Sequence, residues 1–534
     1  MTTTRHERMS TIDTAWLRMD TPGNSMMIVG VSATETPIRR TDFRRMVRQR
    51  LLCFDRFRQR AVADPLGASW VLDDDLDLDY HVPVVKLPGA GGKAELEALC
   101  AELAATPLDP ARPMWQLHLV EHYLGGSAWI TRVHHCYADG IAMIRVLLSM
   151  TEQDPAPAMG GRAKSASSGP RGARPDVLPV LSWIGRFTQP SGDILEHALA
   201  EGAKLLEAGI HQLFHPGKVS DLALQAGSMV GEFAHVVTLP DDPPTPLRGR
   251  ISGEKRVAWG EPIPLDEVKA LGRALDCTIN DVLMSTVAGA LGDWLRERGH
   301  PTGGLRIRAS VPVNLRAADE PLTLGNRFGL VFVEMAVGLT DPLERVAAMR
   351  ETMTALKGSM QPPMTLMVLG VLGMLPATLQ APAVELLSRK GSAVVSNVPG
   401  PQAPLLMCGQ RISEMYFWVP QSGSIGVGIS ILSYAGRVHF GMISDDALVS
   451  EPAEVIARIR PNFEALRAAA DARSSATRAK STRPAAKRPK LKPRTALRPK
   501  AGRPNAVQSK ATRSNAAPSK TARAGRARTA RRPK

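Results

Sequence analysis

No Asp or Glu follows Asp471, and no aromatic residue occurs from Arg473 onward. That boundary constrains the chain more than any other feature. The stretch Arg473 to Lys534 is almost wholly Ala, Pro, Arg, Lys, Ser and Thr. It cannot bury enough apolar surface to offset the entropy of ordering itself, so the sequence predicts a disordered basic tail. The tail carries 21 of the 67 Lys and Arg residues, which leaves 46 basic against 51 acidic side chains in residues 1–472. The body is therefore mildly acidic, and the overall charge of +16 is a property of the tail.

The remaining sequence is long enough for two ordinary domains. Strand-like and helix-like patterns alternate through both halves. Met26–Ser32, Trp70–Leu72, His81–Val85, Leu117–Glu121 and Ala128–His134 read as strands, with a turn at Gly125-Gly126. Helical spacing runs over 41–52, with Thr41 or Asp42 near its cap, and over 94–105 and 141–150. Residues 155–175 are rich in Pro, Gly, Ala and Ser and read as a flexible linker, followed by mostly helical patterning over 179–236. After the proline-rich break at 240–247, strands are expected near 256–259, 306–313, 329–337, 393–397, 415–419, 425–433 and 437–444. Helices are expected over 265–275, 279–296 and 453–468. The fold class is mixed α/β without βαβ regularity. The expected division is 1–247, 248–470 and a tail over 471–534.

Five scattered cysteines with no C-x-x-C spacing suggest neither a zinc site nor a disulfide framework. The polar Met1–Met9 segment lacks the apolar run of a secretory signal. No stretch reaches the roughly 20 apolar residues needed to span a bilayer. The nearest, Met364–Leu375, reads either as a buried core helix or as a segment that lines a lipid tunnel or dips into a membrane surface. A cytoplasmic protein in peripheral contact with lipid is expected.

Chemistry concentrates in His134-His135-Cys136-Tyr137-Ala138-Asp139-Gly140. Strand alternation puts Trp129, Thr131, Val133 and His135 on one face, and Ala128, Ile130, Arg132 and His134 on the other. The two histidines then need not share a task. Asp139 suits a helix cap and Gly140 the turn into the next helix. An imidazole near neutral pKa in a fixed tautomer can take a proton from an alcohol and return one to a leaving thiolate. No G-x-S-x-G elbow occurs, which disfavours a serine hydrolase. The competing reading of the motif is a structural histidine pair beside a capping aspartate.

His134-His135-x-x-x-Asp139-Gly140 resembles the active-site motif of the bacterial wax ester synthase/diacylglycerol acyltransferase family. Further stretches resemble it in the family's order: Met9 to Leu17, Arg56 to Arg60, Trp70-Val71, Leu78 to His81, and Pro107 to Trp115. In the last of these, Met114 stands where the family usually has Leu. Asn280-Asp281 and Ser396 to Pro401 complete the set, and the resemblance spans roughly residues 9–465.

The resemblance implies a fold like chloramphenicol acetyltransferase and the condensation domains, with two related halves around a channel. It implies His135 as general base at the channel's midpoint, supported by His134, Asp139 and Gly140, with Asp139 turned away in a salt bridge that holds the loop. Acyl-CoA would be a co-substrate with no bound cofactor and no metal. The acceptor would be diacylglycerol or a long-chain alcohol, each partner entering by its own route. Two alternatives remain: a related carrier-dependent, condensation-like transferase, and a non-catalytic lipid-droplet or nucleic-acid binding protein.

Smaller signals stay open. Asn280 and Asp281 read as helix-cap chemistry or as support for the site. Trp115 reads as core. Ser396-Asn397 could help hold an oxyanion, and Arg316 could pair with Asp139 or lie on the surface. The basic tail suits a solvated extension, a tether to anionic lipid or, less well without aromatics to stack on bases, a nucleic-acid contact.

Overall fold

The computed structural model describes residues 6–21, 23–65, 67–153, 239–316, 324–357, 361–374 and 377–481. The expected linker over 155–175, the helical patterning over 179–236 and nearly all of the tail lie outside the described residues.

Two seven-stranded sheets dominate. The first has the order Val84–Lys86, Trp115–Tyr123, Gly126–His134, Met27–Thr34, Gln410–Trp418, Leu405–Met407 and Glu152–Gln153. Its centre is the expected hairpin. Trp115–Tyr123 turns back through Leu124-Gly125, where both residues take positive φ, and His122 also has positive φ where the register slips between Glu121 and Tyr123. Gly126 is forced by contact: a Cβ there would sit 1.8 Å from the Thr34 carbonyl oxygen. A small antiparallel sheet of His6–Arg8, Gly67–Leu72 and Gln59–Asp64 stands apart.

The second sheet runs Ile263–Pro264, Arg437–Asp445, Val427–Tyr434, Ala393–Pro399, Ile307–Asn314 and Phe328–Met335, with Lys255–Trp259 also paired to Arg437–Asp445. It is mixed, since Ala393–Pro399 pairs parallel to both its neighbours. The helix Ile279–Glu297 is buried on almost every side, as its apolar composition requires.

The expected division at residue 247 is crossed by the chain. Gln410–Trp418 and Leu405–Met407 arise in the second half but complete the first sheet, with Ile412–Trp418 antiparallel to Val29–Thr34. Contacts gather the described residues as far as Lys480 into one compact body. Each half keeps its own apolar cluster, one around Trp115, Trp129 and Val133, the other around Leu291, Val333 and Ile431.

Other departures have local causes. His81 closes a short helix, Leu78–His81, instead of opening a strand, because Asp77 caps it by accepting from the Asp79 amide at 2.8 Å. The N-cap of Arg40–Met46 is Arg39, without a side-chain bond, and the chain continues as a π-turn over Val47–Leu51. The final helix is two, Pro452–Ala457 and Ile459–Ser481. Pro461 lacks an N–H and fits only a first turn, so the break falls just before it. The second of these helices runs ten residues past the expected start of the tail at 471, through Ala- and Arg-rich sequence that favours helix.

The apolar stretch near 364–375 is mainly a helix, Gln361–Leu372. It packs on Phe328–Met335 and on Thr11–Arg18. Gly329 permits that seat, since a Cβ there would lie 1.9 Å from the Pro362 carbonyl. Among the described residues no helix is long and apolar enough to cross a membrane.

Candidate active site

A cavity of about 1380 Å³ lies against the end of Gly126–His134 and is walled by both halves. His135, Trp16, Phe328, Asn280, Ser396 and Asn397 border it.

The histidines separate as alternation suggests, although the strand itself ends at His134. The His134 ring turns inward. Its Nε2 lies 3.1 Å from a carboxylate oxygen of Asp20, and its Nδ1 accepts from the Cys136 amide at 3.2 Å. The His135 backbone N–H donates to Met26 O at 2.7 Å, anchoring the residue to the start of the neighbouring strand. Its ring stacks beneath Trp16, with centroids 4.3 Å apart and planes 19° from parallel, and Phe328 flanks both.

His135 is 4% exposed. Burial pushes its pKa down to about 4, against the opposing pull of the Asp139 charge and of Asn326. The imidazole is therefore neutral across the ordinary pH range. Its Nδ1 is sealed from solvent without a hydrogen-bond partner, and so is Oδ1 of Asn326. The Asn326 Nδ2 donates to the His135 carbonyl at 2.7 Å and to Asp13 at 2.8 Å, and its backbone N–H donates to the same Asp13 oxygen at 3.1 Å. Burial raises the Asp13 pKa, opposed by the bonds from Asn326 and Ser10.

Sequence reasoning passed over Asp13, Trp16 and Asn326. Asp13 and Trp16 lie within the Met9–Leu17 block, where a buried carboxylate beside a tryptophan was the available signal. Asn326 had none, because its partners are 313 and 191 residues away.

Asp139 caps Gly140–Met150 by accepting from the Ala142 amide at 3.0 Å. Its other oxygen accepts from Arg327 N at 2.9 Å and pairs with Arg316. Both members of that ion pair are buried, and Arg316 also donates to Gly325 O at 2.7 Å. Arg316 is thus the partner of Asp139 and not a surface charge. Gly140 opens the helix at the cavity wall.

Asn280 and Asp281 part company. Thr278 is the N-cap of Ile279–Glu297, and Asp281 completes the capping box by accepting from the Thr278 amide at 2.7 Å. Asn280 instead accepts from Asn397 Nδ2 at 2.7 Å, and both residues line the cavity. Trp115 is wholly buried in the core, donating to Phe57 O at 2.8 Å.

Residues 9–283 match the wax ester synthase/diacylglycerol acyltransferase catalytic domain, and residues 324–467 match the C-terminal domain of the same family. The chain belongs to this family. It is an acyltransferase. Relatives include a Mycobacterium tuberculosis protein named as a diacylglycerol O-acyltransferase, 28% identical over 465 residues that cover 84% of this chain and 93% of that one. A Mycobacterium bovis protein of the same designation is 29% identical over 462 residues, 81% of this chain and 85% of that one. In fold, the chain is similar to the wax ester synthase/diacylglycerol acyltransferase of Marinobacter aquaeolei, with a TM-score of 0.57, 20% identity and coverage of 87% and 100%. The first condensation domain of the calcium-dependent antibiotic synthetase superposes with a TM-score of 0.52 at 14% identity, covering 87% of this chain and 96% of that domain.

Proposed function

We propose that this member of the family transfers a long acyl group from acyl-CoA to diacylglycerol or a long-chain alcohol, giving triacylglycerol or wax ester, with His135 as general base. The observation that carries the proposal is a neutral, buried imidazole, sealed at Nδ1, facing a cavity larger than the roughly 300–1,000 Å³ typical of small-molecule sites. Such a volume suits acyl chains.

In this mechanism the acceptor hydroxyl gives its proton to Nε2 of His135 as its oxygen attacks the thioester carbonyl. The tetrahedral intermediate collapses, the C–S bond breaks, and the imidazolium protonates the departing thiolate. No covalent enzyme intermediate and no bound cofactor or metal is required. Asn326 is a positioning residue: its Nδ2 holds the His135 carbonyl at 2.7 Å, and its side chain raises the proton affinity of the His135 ring against the effect of burial. Asp13 holds the Asn326 amide in that orientation. Asp139 acts through the loop and does not touch substrate. Asn280 and Asn397 border the cavity, and the Asn397 amide bonded to Asn280 keeps a second N–H that can serve as an oxyanion donor. The basic tail is a peripheral tether to anionic lipid surfaces, worth about 1 kcal/mol per basic residue near the membrane.

Labelled palmitoyl-CoA offered with diacylglycerol and with hexadecanol, and resolved by thin-layer chromatography, tests the reading. Ester should form with at least one acceptor, and His135→Ala should abolish both ester and CoA release while thermal melting stays near wild type. Near-wild-type CoA release from His135→Ala would sink the mechanism.

A further inference from the structure

The cavity is aromatic around His135, with Trp16 and Phe328, but four cations also border it. Lys269 and Arg273 are one helical turn apart on Leu265–Leu275. Arg350 and Lys357 lie two turns apart along Pro342–Leu356 and its C-cap. All four border the same cavity. An exposed ion pair of 2.9 Å links Arg350 to Asp276, the C-cap of the first of these helices.

Arg273, Arg350 and Lys357 are exposed, whereas His135 is buried, so the cations mark the mouth and the imidazole the interior. Arg350 and Lys269 have exposed carboxylate neighbours, Asp276 and Asp266, and pairs of that kind bind weakly. Among the described residues Arg273 and Lys357 have no carboxylate partner. A concentration of cations is unexpected on a body whose residues 1–472 carry a net charge of −5. The other cleft of note, beside Lys93–Ala105, is lined by four glutamates, Glu97, Glu102, Glu254 and Glu451, against two cations, Lys255 and Arg256.

We propose that the rim formed by Lys269, Arg273, Arg350 and Lys357 holds the nucleotide phosphates of the CoA thioester, so that acyl-CoA enters between these two helices with its acyl end toward His135. This rests on the reading of the protein as an acyl-CoA-dependent transferase and adds the direction of entry. The nucleotide of CoA carries a diphosphate and a 3′-phosphate, both multiply charged. Two helices, each presenting a pair of cations, match a ligand with two separated anionic groups. The pantetheine arm then lies along the cavity, and the acceptor must reach His135 from elsewhere.

The test is the double variant Arg273→Gln/Lys357→Gln, whose side chains are exposed and have no carboxylate partner among the described residues. Calorimetric titration with CoA and with 3′-dephospho-CoA measures the site directly. CoA should bind at least about ten-fold more weakly to the variant, the equivalent of losing one charge-assisted contact. KM for palmitoyl-CoA should rise in proportion. The palmitoyl thioester of N-acetylcysteamine, which ends short of the nucleotide, should be used as well by the variant as by the wild type. If the wild type binds CoA and forms ester while the variant keeps full CoA affinity, the rim assignment is overturned and the functional reading stands. The same holds if the variant loses binding to phosphatidylglycerol vesicles with CoA affinity intact, because the rim is then a membrane contact. A wild type that neither binds CoA nor forms ester overturns both.

Discussion

Arg316 reaches from the second half of the chain and closes its guanidinium on the carboxylate of Asp139, which caps the helix following the histidine motif. With the Ala142 and Arg327 amides, this gives a buried carboxylate three donors. Removing one member of such a pair strands a charge away from water and typically costs about 3–5 kcal/mol. Arg316→Met should therefore lower unfolding free energy by about that much in urea titration. Arg316→Met combined with Asp139→Asn should lose less than the sum of the single changes. Additive losses would show that the pair does not couple the halves.

Asn326 gives a prediction in the rate. Asn326→Leu should lower kcat by about ten- to a hundred-fold, part of a general-base contribution of 10²–10⁴, with little change in KM. Asn326→Asp should recover some rate and also move the acid limb of the pH–rate profile upward, because an adjacent carboxylate favours the imidazolium. A residue with a purely structural role would leave that limb where it was.

Acid should destabilise the fold in a defined window. His118, His135 and His439 each have pKa values lowered to about 4, chiefly by burial. Above pH ~6.5 they are neutral both folded and unfolded and contribute no pH dependence. As pH falls from about 6.5 toward 4, the unfolded chain takes up protons that the folded chain refuses, so stability declines. Each histidine contributes up to about 1.4 kcal/mol per pH unit. Urea midpoints at pH 7, 6, 5 and 4.5 check this. Activity is expected to persist below pH 6.5, since His135 stays neutral there.

The two residues after Ile279 should separate on mutation. Thr278→Ala removes a capping-box partner and should cost about 1 kcal/mol. Asn280→Ala leaves the box intact and should change stability less, but it should reduce kcat by removing the amide paired with Asn397. Equal effects of both on stability and rate would refute the separation.

Truncation after Ser481 should leave the catalytic rate on detergent-dispersed substrate unchanged. Recovery on anionic vesicles at low salt should fall, and added salt should erase the difference between full-length and truncated protein.

Most strands and the principal helices were legible because each is written in local periodicity: Leu265–Leu275 falls where its spacing puts it. The same applies to the opposite facing of His134 and His135, which follows from alternation at a strand end, whereas the choice of His135 as base was implied by the family resemblance. Ala377–Ser388 was not legible, since Pro382 sits inside it, and Pro342–Leu356 has little contrast between its faces. The hidden parts of the site share one property. Asn326 meets His135, and Asp13 meets Asn326, only through tertiary contact, and no period in the sequence encodes such distant partners; for Arg316 the sequence left two readings open, and the fold decides for the pair with Asp139. Asn280 beside Asp281 was half legible: the cap chemistry is local, the bond to Asn397 is not.

The strand lent by residues 410–418 to the first sheet has a consequence for biosynthesis. Met27–Thr34 carries Gly126–His134 on one side, but its other edge stays open until Gln410–Trp418 has left the ribosome. An open edge is a template for misplaced pairing. The nascent N-terminal half must therefore be kept from aggregating through most of translation, and a message cut short before codon 418 yields a product with an unfinished sheet, even though it already encodes the histidine motif.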